Sequence, residues 1–154
     1  MLKLTKKADY GLMAMKHLAE NAAQGSMSAK DVAEAYGIPS EALAKILQRL
    51  VKAGLLQSHH GINGGYTLAR EAKEISAFEV IRAIDGPLFI TSCITVRGEC
   101  GQSNRCTVRE PLRRVNQSIE EVLRQIKISD MKEKEEIEVL ESGEKKPIDL
   151  VSIT

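Results

Sequence analysis

Residues 26–69, "SMSAKDVAEAYGIPSEALAKILQRLVKAGLLQSHHGINGGYTLA", constrain the fold more tightly than any other stretch of the chain. Ser28 is the expected N-cap of a short helix in which Val32 and Ala33 face inward and Gly37 forms the stop. After the turn "GIPS", Pro39 and Ser40 open a second helix with Leu43, Ile46, Leu47 and Leu50 at i, i+3, i+4, i+7, closed by Gly54. Two short helices around so tight a turn make a helix-turn-helix candidate. Two strands are predicted directly behind it, Leu55–His59 and Tyr66–Ala69, around a turn containing Asn63-Gly64. A hairpin in that place makes the unit a winged helix.

The remaining elements are helical. Over residues 5–23, Ala8, Leu12, Met15, Leu18, Ala19 and Ala22 share one face, with Lys6, Asp9, Lys16 and Glu20 off it. Ser76 and Glu79 form a capping box ahead of a helix whose apolar positions are Phe78, Val80, Ile81 and Ile84. Thr107 and Glu110 form a second box with Pro111 in the first turn. From there Val108, Leu112, Val115, Ile119, Val122 and Ile126 recur in the a/d rhythm of a coiled-coil seam. A long amphipathic helix at the end of a small domain needs a covering partner, so a homodimer through this helix is expected. The fold class is mainly α with a small β-hairpin: a winged helix-turn-helix domain (1–86), a cysteine-bearing loop (87–106), a dimerisation helix (107–129) and a mobile charged tail (130–154).

Charge is distributed unevenly. Residues 1–70 carry nine Lys and Arg against five Asp and Glu, whereas residues 130–154 carry four against eight. The N-terminal half is the half suited to a polyanion. Aromatics are 3% of the chain and Trp is absent, which disfavours stacking on single strands and leaves duplex DNA. No run approaches the length of a spanning helix, and Lys and Asp interrupt the start "MLKLTKKADYG" before any signal-like apolar region, so a cytoplasmic protein without a membrane partner is expected. No Ser/His/Asp, paired-carboxylate or phosphate-loop arrangement suggests an enzyme.

If residues 40–53 are the recognition helix, Ser40, Glu41, Ala44, Lys45, Gln48 and Lys52 face outward. Gln suits adenine, Lys reaches guanine or phosphate, and Ser serves either. Lys3, Thr5, Lys6 and Lys7 at the first helix N-terminus are candidate phosphate anchors, and Ser28 caps the helix behind the turn. At the wing, His59, His60, Gly64, Gly65 and Tyr66 complete the candidate DNA surface; the glycines suit the turn, and the adjacent histidines, on opposite strand faces, make a poor chelate. His17, near the apolar stripe of the first helix, is read as structural.

All three cysteines fall within "SCITVRGECGQSNRC", spaced C-x6-C-x5-C. An odd count leaves a thiol unpaired in any intramolecular disulfide scheme, and the C-x2–4-C knuckle usual in zinc folds is missing. The loop is polar and glycine-bearing, fit to wrap a ligand. Thiolates hold iron–sulfur clusters, and three of them leave one position for another donor. Thiol oxidation or zinc binding on the same DNA-binding fold is the first alternative, and a winged helix used as a protein-interaction module is the second.

Taken together, "LTKKADYGLMAMKHLA", "VAEAYGIPSEALAKILQRLVKAGLL", "GINGGYTLAR", "EVIRAIDGP" and the three-cysteine loop resemble the winged-helix iron–sulfur regulators of the IscR and NsrR type, over about residues 1–128. The resemblance implies a homodimer on palindromic double-stranded promoter DNA, with affinity set by a cluster on Cys93, Cys100 and Cys106. [4Fe–4S] is favoured over [2Fe–2S]. The run "CTVREPL" lacks the histidine that IscR-like proteins place after the third cysteine. Asp9 stands where NsrR-like proteins supply an aspartate from the first helix of the other protomer. The chain departs from the family in its x6 first spacing, in "HHGINGGY" at the wing, and in Ala44, where IscR has a glutamate that adjusts base choice.

Overall fold

The computed structural model describes residues 3–89 and 107–131. Among these residues five helices and one hairpin follow in the order α1 (Lys6–Glu20), α2 (Ala29–Tyr36), α3 (Ser40–Lys52), β1 (Leu56–His59), β2 (Gly65–Leu68), α4 (Ala77–Asp85) and α5 (Arg109–Gln125). Single 3-10 turns lie at Ala22–Gln24, Ala72–Glu74 and Ile128–Asp130. This is the expected winged helix-turn-helix followed by a long C-terminal helix.

Local signals explain most boundaries. Ser28 and Asp31 form a reciprocal capping box at α2, and Gly37 ends that helix in the left-handed conformation at φ 65°. Ser76 and Glu79 do the same at the start of α4. Helix α1 begins later and ends earlier than its apolar rhythm suggests: Thr5 is the N-cap, and the Asn21 N–H and side-chain amide both close on the His17 carbonyl, at 3.1 and 2.8 Å. Ala22 therefore falls in the following 3-10 turn and is exposed.

At α5 the expected box between Thr107 and Glu110 is not formed. Val108 is the N-cap, without a side-chain cap bond, and the helix begins at Arg109. Thr107 then lies one residue outside the cap, and the residue at N3 becomes Pro111, which has no N–H for a capping oxygen to take.

One core unites these elements. Ala14, Met15 and Leu18 of α1, Val32 and Ala33 of α2, Leu43, Ile46, Leu47 and Leu50 of α3, Leu55 and Leu56, and Ile75, Val80 and Ile84 around α4 pack together. Each fully buried Leu or Ile contributes about 1.5–3 kcal/mol of transfer free energy. Gly11 is buried among them: a Cβ there would lie 2.1 Å from Ile84 Cδ1, the end of that side chain, so a larger residue would force Ile84 to repack between α1 and α4.

The hairpin pairs Leu56 with Leu68, Gln57 with Thr67, Ser58 with Tyr66 and His59 with Gly65. β1 begins one residue later than expected and ends at His59 as expected, while β2 is shifted back by one residue, although the Ala69 N–H still reaches the Leu55 carbonyl at 3.1 Å. On its other edge, β2 is bridged by Met27: Tyr66 N–H donates to the Met27 carbonyl at 2.8 Å, and Met27 N–H to Tyr66 at 3.2 Å.

Helix α5 docks on α4 and then returns the chain to the core. Arg124 lies 4.3 Å over the ring of Phe78. Beyond the helix, Ala77 N–H donates to the Ile126 carbonyl at 2.8 Å, Ile128 N–H donates to Ile75 at 2.9 Å, and the Ile128 side chain is buried in the core. The other face of α5 is open: Val108, Val115, Val122 and Ile126 are 56, 48, 56 and 38% exposed.

Candidate nucleic-acid interface

Helix α3 is built to be seen from one side. Leu43, Ile46, Leu47 and Leu50 are buried, while Ser40, Glu41, Lys45, Gln48 and Lys52 are exposed and Ala44 is half-buried. A groove of about 370 Å³ runs beside its first half, lined by Lys7, Pro39, Glu41, Ala42, Lys45, Ile46 and Arg49. Lys7 and Lys45 stand beside the single acid Glu41 here, an arrangement suited to a phosphate backbone, while the Arg49 guanidinium donates to the Ile84 carbonyl.

The N-terminal candidates divide by chemistry. Lys3 and Lys6 are exposed and border a concavity of about 500 Å³ together with Leu4, Thr5 and Asp9. Thr5 is engaged inside the protein: its hydroxyl accepts from the Ala8 N–H at 3.1 Å and donates to Asp85 Oδ1 at 2.6 Å. Ser28 is similarly engaged, accepting from Asp31 N–H at 3.1 Å while its own N–H donates to the Asp31 carboxylate at 3.2 Å. Hydrogen bonding of its carboxylate to the Ser28 side chain, and then to the Ser28 N–H, holds Asp31 below the ordinary carboxylate range.

The wing is braced. His59 Nε2 lies 2.8 Å from Thr67 Oγ1 across the hairpin, on the face both share. The Ser26 hydroxyl donates to the Asn63 carbonyl, tying the wing loop to the chain ahead of α2. His60 is exposed in that loop, with Gly64 beside it. Gly65 is the first residue of β2, at φ 152°, and not part of the turn itself. Tyr66 is half-buried and packs against the core. His17 sits away from this surface, 3.1 Å from the Tyr36 hydroxyl with the rings edge to face, a contact between α1 and α2 in keeping with a structural histidine.

Sequence reasoning missed Met27, Ser26 and Arg49. Met27 acts through its backbone and Ser26 through its hydroxyl, contacts that leave no periodic signal. Arg49 reads as one more solvated cation, yet its guanidinium donates to the Ile84 carbonyl at 2.8 Å.

Cys93, Cys100 and Cys106 lie outside the described residues. Asp9 is exposed in the first turn of α1, and among the described residues its carboxylate has no hydrogen-bond or ion-pair partner. Among those residues no three His, Cys, Asp or Glu side chains gather as a metal site, and no helix is long and apolar enough to cross a membrane.

Comparison with known proteins places this geometry. Residues 4–134 match the Rrf2 family, described as iron-dependent transcriptional regulators. The chain is 32% identical over 149 residues to the HTH-type transcriptional regulator IscR of Vibrio campbellii, covering 97% of this chain and 87% of that one. Among solved structures it is similar to CymR, the global cysteine regulator of B. subtilis, with TM-score 0.71 and 31% identity over 84% of this chain and 95% of that one. T. potens IscR is similar at TM-score 0.67 and 31% identity, over 95 and 94% of the two chains. The braced wing, the outward face of α3 and these likenesses agree: the chain belongs to the Rrf2 family of winged-helix, DNA-binding transcription regulators and is IscR-like.

Proposed function

We propose that this regulator acts as a homodimer whose affinity for double-stranded promoter DNA is set by an iron–sulfur cluster. The cluster ligands in this reading are Cys93, Cys100 and Cys106 with Asp9 of the opposite protomer, and [4Fe–4S] is the favoured form. What carries the reading is the donor set: three thiols within residues 93–106, and an exposed Asp9 carboxylate with no partner among the described residues. A carboxylate is a hard donor beside soft thiolates, which makes the fourth position exchangeable and suits a sensor of nitric oxide, oxygen, redox state or cluster supply. When bound, the cluster supplies a redox-active, displaceable group.

The chain's own residues do the rest. In this reading residues 1–86 bind DNA, 87–106 hold the cluster, 107–129 pair the protomers and 130–154 form a charged tail. Lys45 and Gln48 face the major groove, with Ser40, Glu41 and Ala44 shaping base choice. Lys3 and Lys6 meet phosphate, Thr5 and Ser28 present helix N-termini, and His59, His60, Gly64, Gly65 and Tyr66 place the wing. The open seam of Val108, Val115, Val122 and Ile126 is covered by the second protomer, which sets two α3 helices toward half-sites about one DNA turn apart.

One observation favours a second reading. The solved fold of the cysteine regulator CymR is as similar as that of IscR. In that reading the same thiols sense by oxidation and no cluster is bound. Native mass spectrometry with an absorption spectrum, on protein purified without oxygen, separates the two. A coloured dimer with one cluster mass per protomer supports the cluster. A colourless protein that stays metal-free after anaerobic reconstitution, or holds only zinc, overturns it.

A further inference from the structure

The last turn of α4 is gripped from two sides. Arg49, in the second half of α3, donates to the Ile84 carbonyl at 2.8 Å, one of the terminal carbonyls that a helix cannot satisfy internally. A cation there also complements the helix dipole. From α1, the Thr5 hydroxyl donates to the Asp85 carboxylate at 2.6 Å while capping its own helix, and Gly11 admits Ile84 against the α1 backbone. The two DNA-facing helices are thus fastened to consecutive residues of a third helix lying behind them.

We propose that Arg49 is a positioning residue for DNA recognition: it sets the pose of α3 by holding the end of α4, and does not itself contact phosphate. Thr5 holds α1 to the same turn through Asp85. The inference deepens the proposed function, because the chain leaving this turn runs on into the cysteine-bearing residues. Along the chain a change of state there passes to Asp85 and Ile84, and the hydrogen bond from Arg49 carries it across to the recognition helix. Two discrete arrangements biased by both sites are what such coupling requires.

The test uses the full chain on duplex DNA carrying its operator, selected from random sequence, with Arg49→Gln, Arg49→Lys and Thr5→Val. Affinity is measured across a salt series, on cluster-loaded and cluster-free protein, alongside thermal unfolding to establish that each variant is folded at the assay temperature. A positioning role predicts that Arg49→Gln weakens binding about tenfold with the salt slope unchanged, because no phosphate contact is removed. Arg49→Lys, which keeps one donor but not the planar fork, recovers affinity only partly. The ratio of loaded to cluster-free affinity shrinks toward one in Arg49→Gln and Thr5→Val. A salt slope reduced by about one, with full recovery by lysine, would make Arg49 a phosphate contact and overturn the proposal. Wild-type affinity in a folded Arg49→Gln would overturn it equally. If the wild type binds DNA identically with and without cluster, the cluster reading falls, and the salt series still decides the role of Arg49.

Discussion

The backbone N–H of Ile128 donates to the carbonyl of Ile75 across 2.9 Å, so the chain that leaves α5 re-enters the domain directly ahead of the α4 cap. The Ile128 side chain is fully buried there. Ile128→Ala is expected to destabilise the fold by about 2–5 kcal/mol, the range for truncating a packed aliphatic core residue. Denaturant unfolding gives the value. A loss below half a kcal/mol would mean that the segment after α5 does not contribute to the core.

A Cβ at Gly65 would lie 2.4 Å from the Met27 carbonyl oxygen, and the residue sits at φ 152°. The obstacle is backbone and cannot swing away. Gly65→Ala should therefore cost about 1–3 kcal/mol and loosen the wing, seen as faster hydrogen exchange at the Tyr66 amide, which bonds to Met27. Slow exchange in the variant would contradict this.

Acid sensitivity should centre on Glu79. Burial works against its charge, but hydrogen bonds from Arg70 and Ser76 outweigh it and hold the carboxyl below its ordinary 4.5. A depressed carboxylate stabilises the fold above the unfolded value and loses that contribution as pH falls through the folded value. With Arg70 and Glu79 side chains 40 and 36% exposed, solvent screening limits the effect to under about 1 kcal/mol. Glu79→Gln should flatten the stability profile below pH 4.5. A profile as steep as the wild type's would assign the acid loss to another group.

On α3, the exposed Lys45 and Gln48 should behave differently. Lys45→Ala is expected to weaken binding to all sequences and to lower the salt slope by about one. Gln48→Ala should relax preference at one base position, at about 1–3 kcal/mol of discrimination. Binding to operator variants at several salt concentrations checks both. The assignment fails if Lys45→Ala leaves the slope intact.

The exposed seam of α5 is expected to pair protomers. Val115→Glu with Val122→Glu places charge on two positions about half exposed in the monomer, so the domain should stay folded while the dimer dissociates. Sedimentation velocity at micromolar concentration distinguishes the species. A dimer unaffected by both changes would place the interface elsewhere.

Much of this fold was legible because its signals are local. Ser28, Gly37, Ser76 and the apolar repeat of α3 each act within one or two helical turns, and each lies where the sequence reading put it. What was not legible depends on residues far apart in the chain. Gly11 is buried because Ile84 comes to it, and Met27 pairs with β2 through a single bridge. Asn116 is 5% exposed in a helix whose Val115 and Val122 stand outside, a reversal that the apolar rhythm alone does not announce. The start of α5 was misplaced because Thr107 and Glu110 have the spacing of a box while Val108 takes the cap. Of the candidate site, the outward face of α3 was legible from helical period alone. That Thr5 and Arg49 are committed to α4 was not, since nothing near them in sequence names Ile84 or Asp85.

The bridge from Met27 to Tyr66 also bears on how the molecule behaves when no DNA covers its wing. A bare two-stranded ribbon offers two free edges to neighbouring molecules, and free edges recruit strands. Here Met27 covers part of one edge, and the other is β1, only four residues long, with Gln57, Ser58 and His59 exposed along it. The Met27 bridge and the short polar β1 edge both work against the wing templating a sheet between copies.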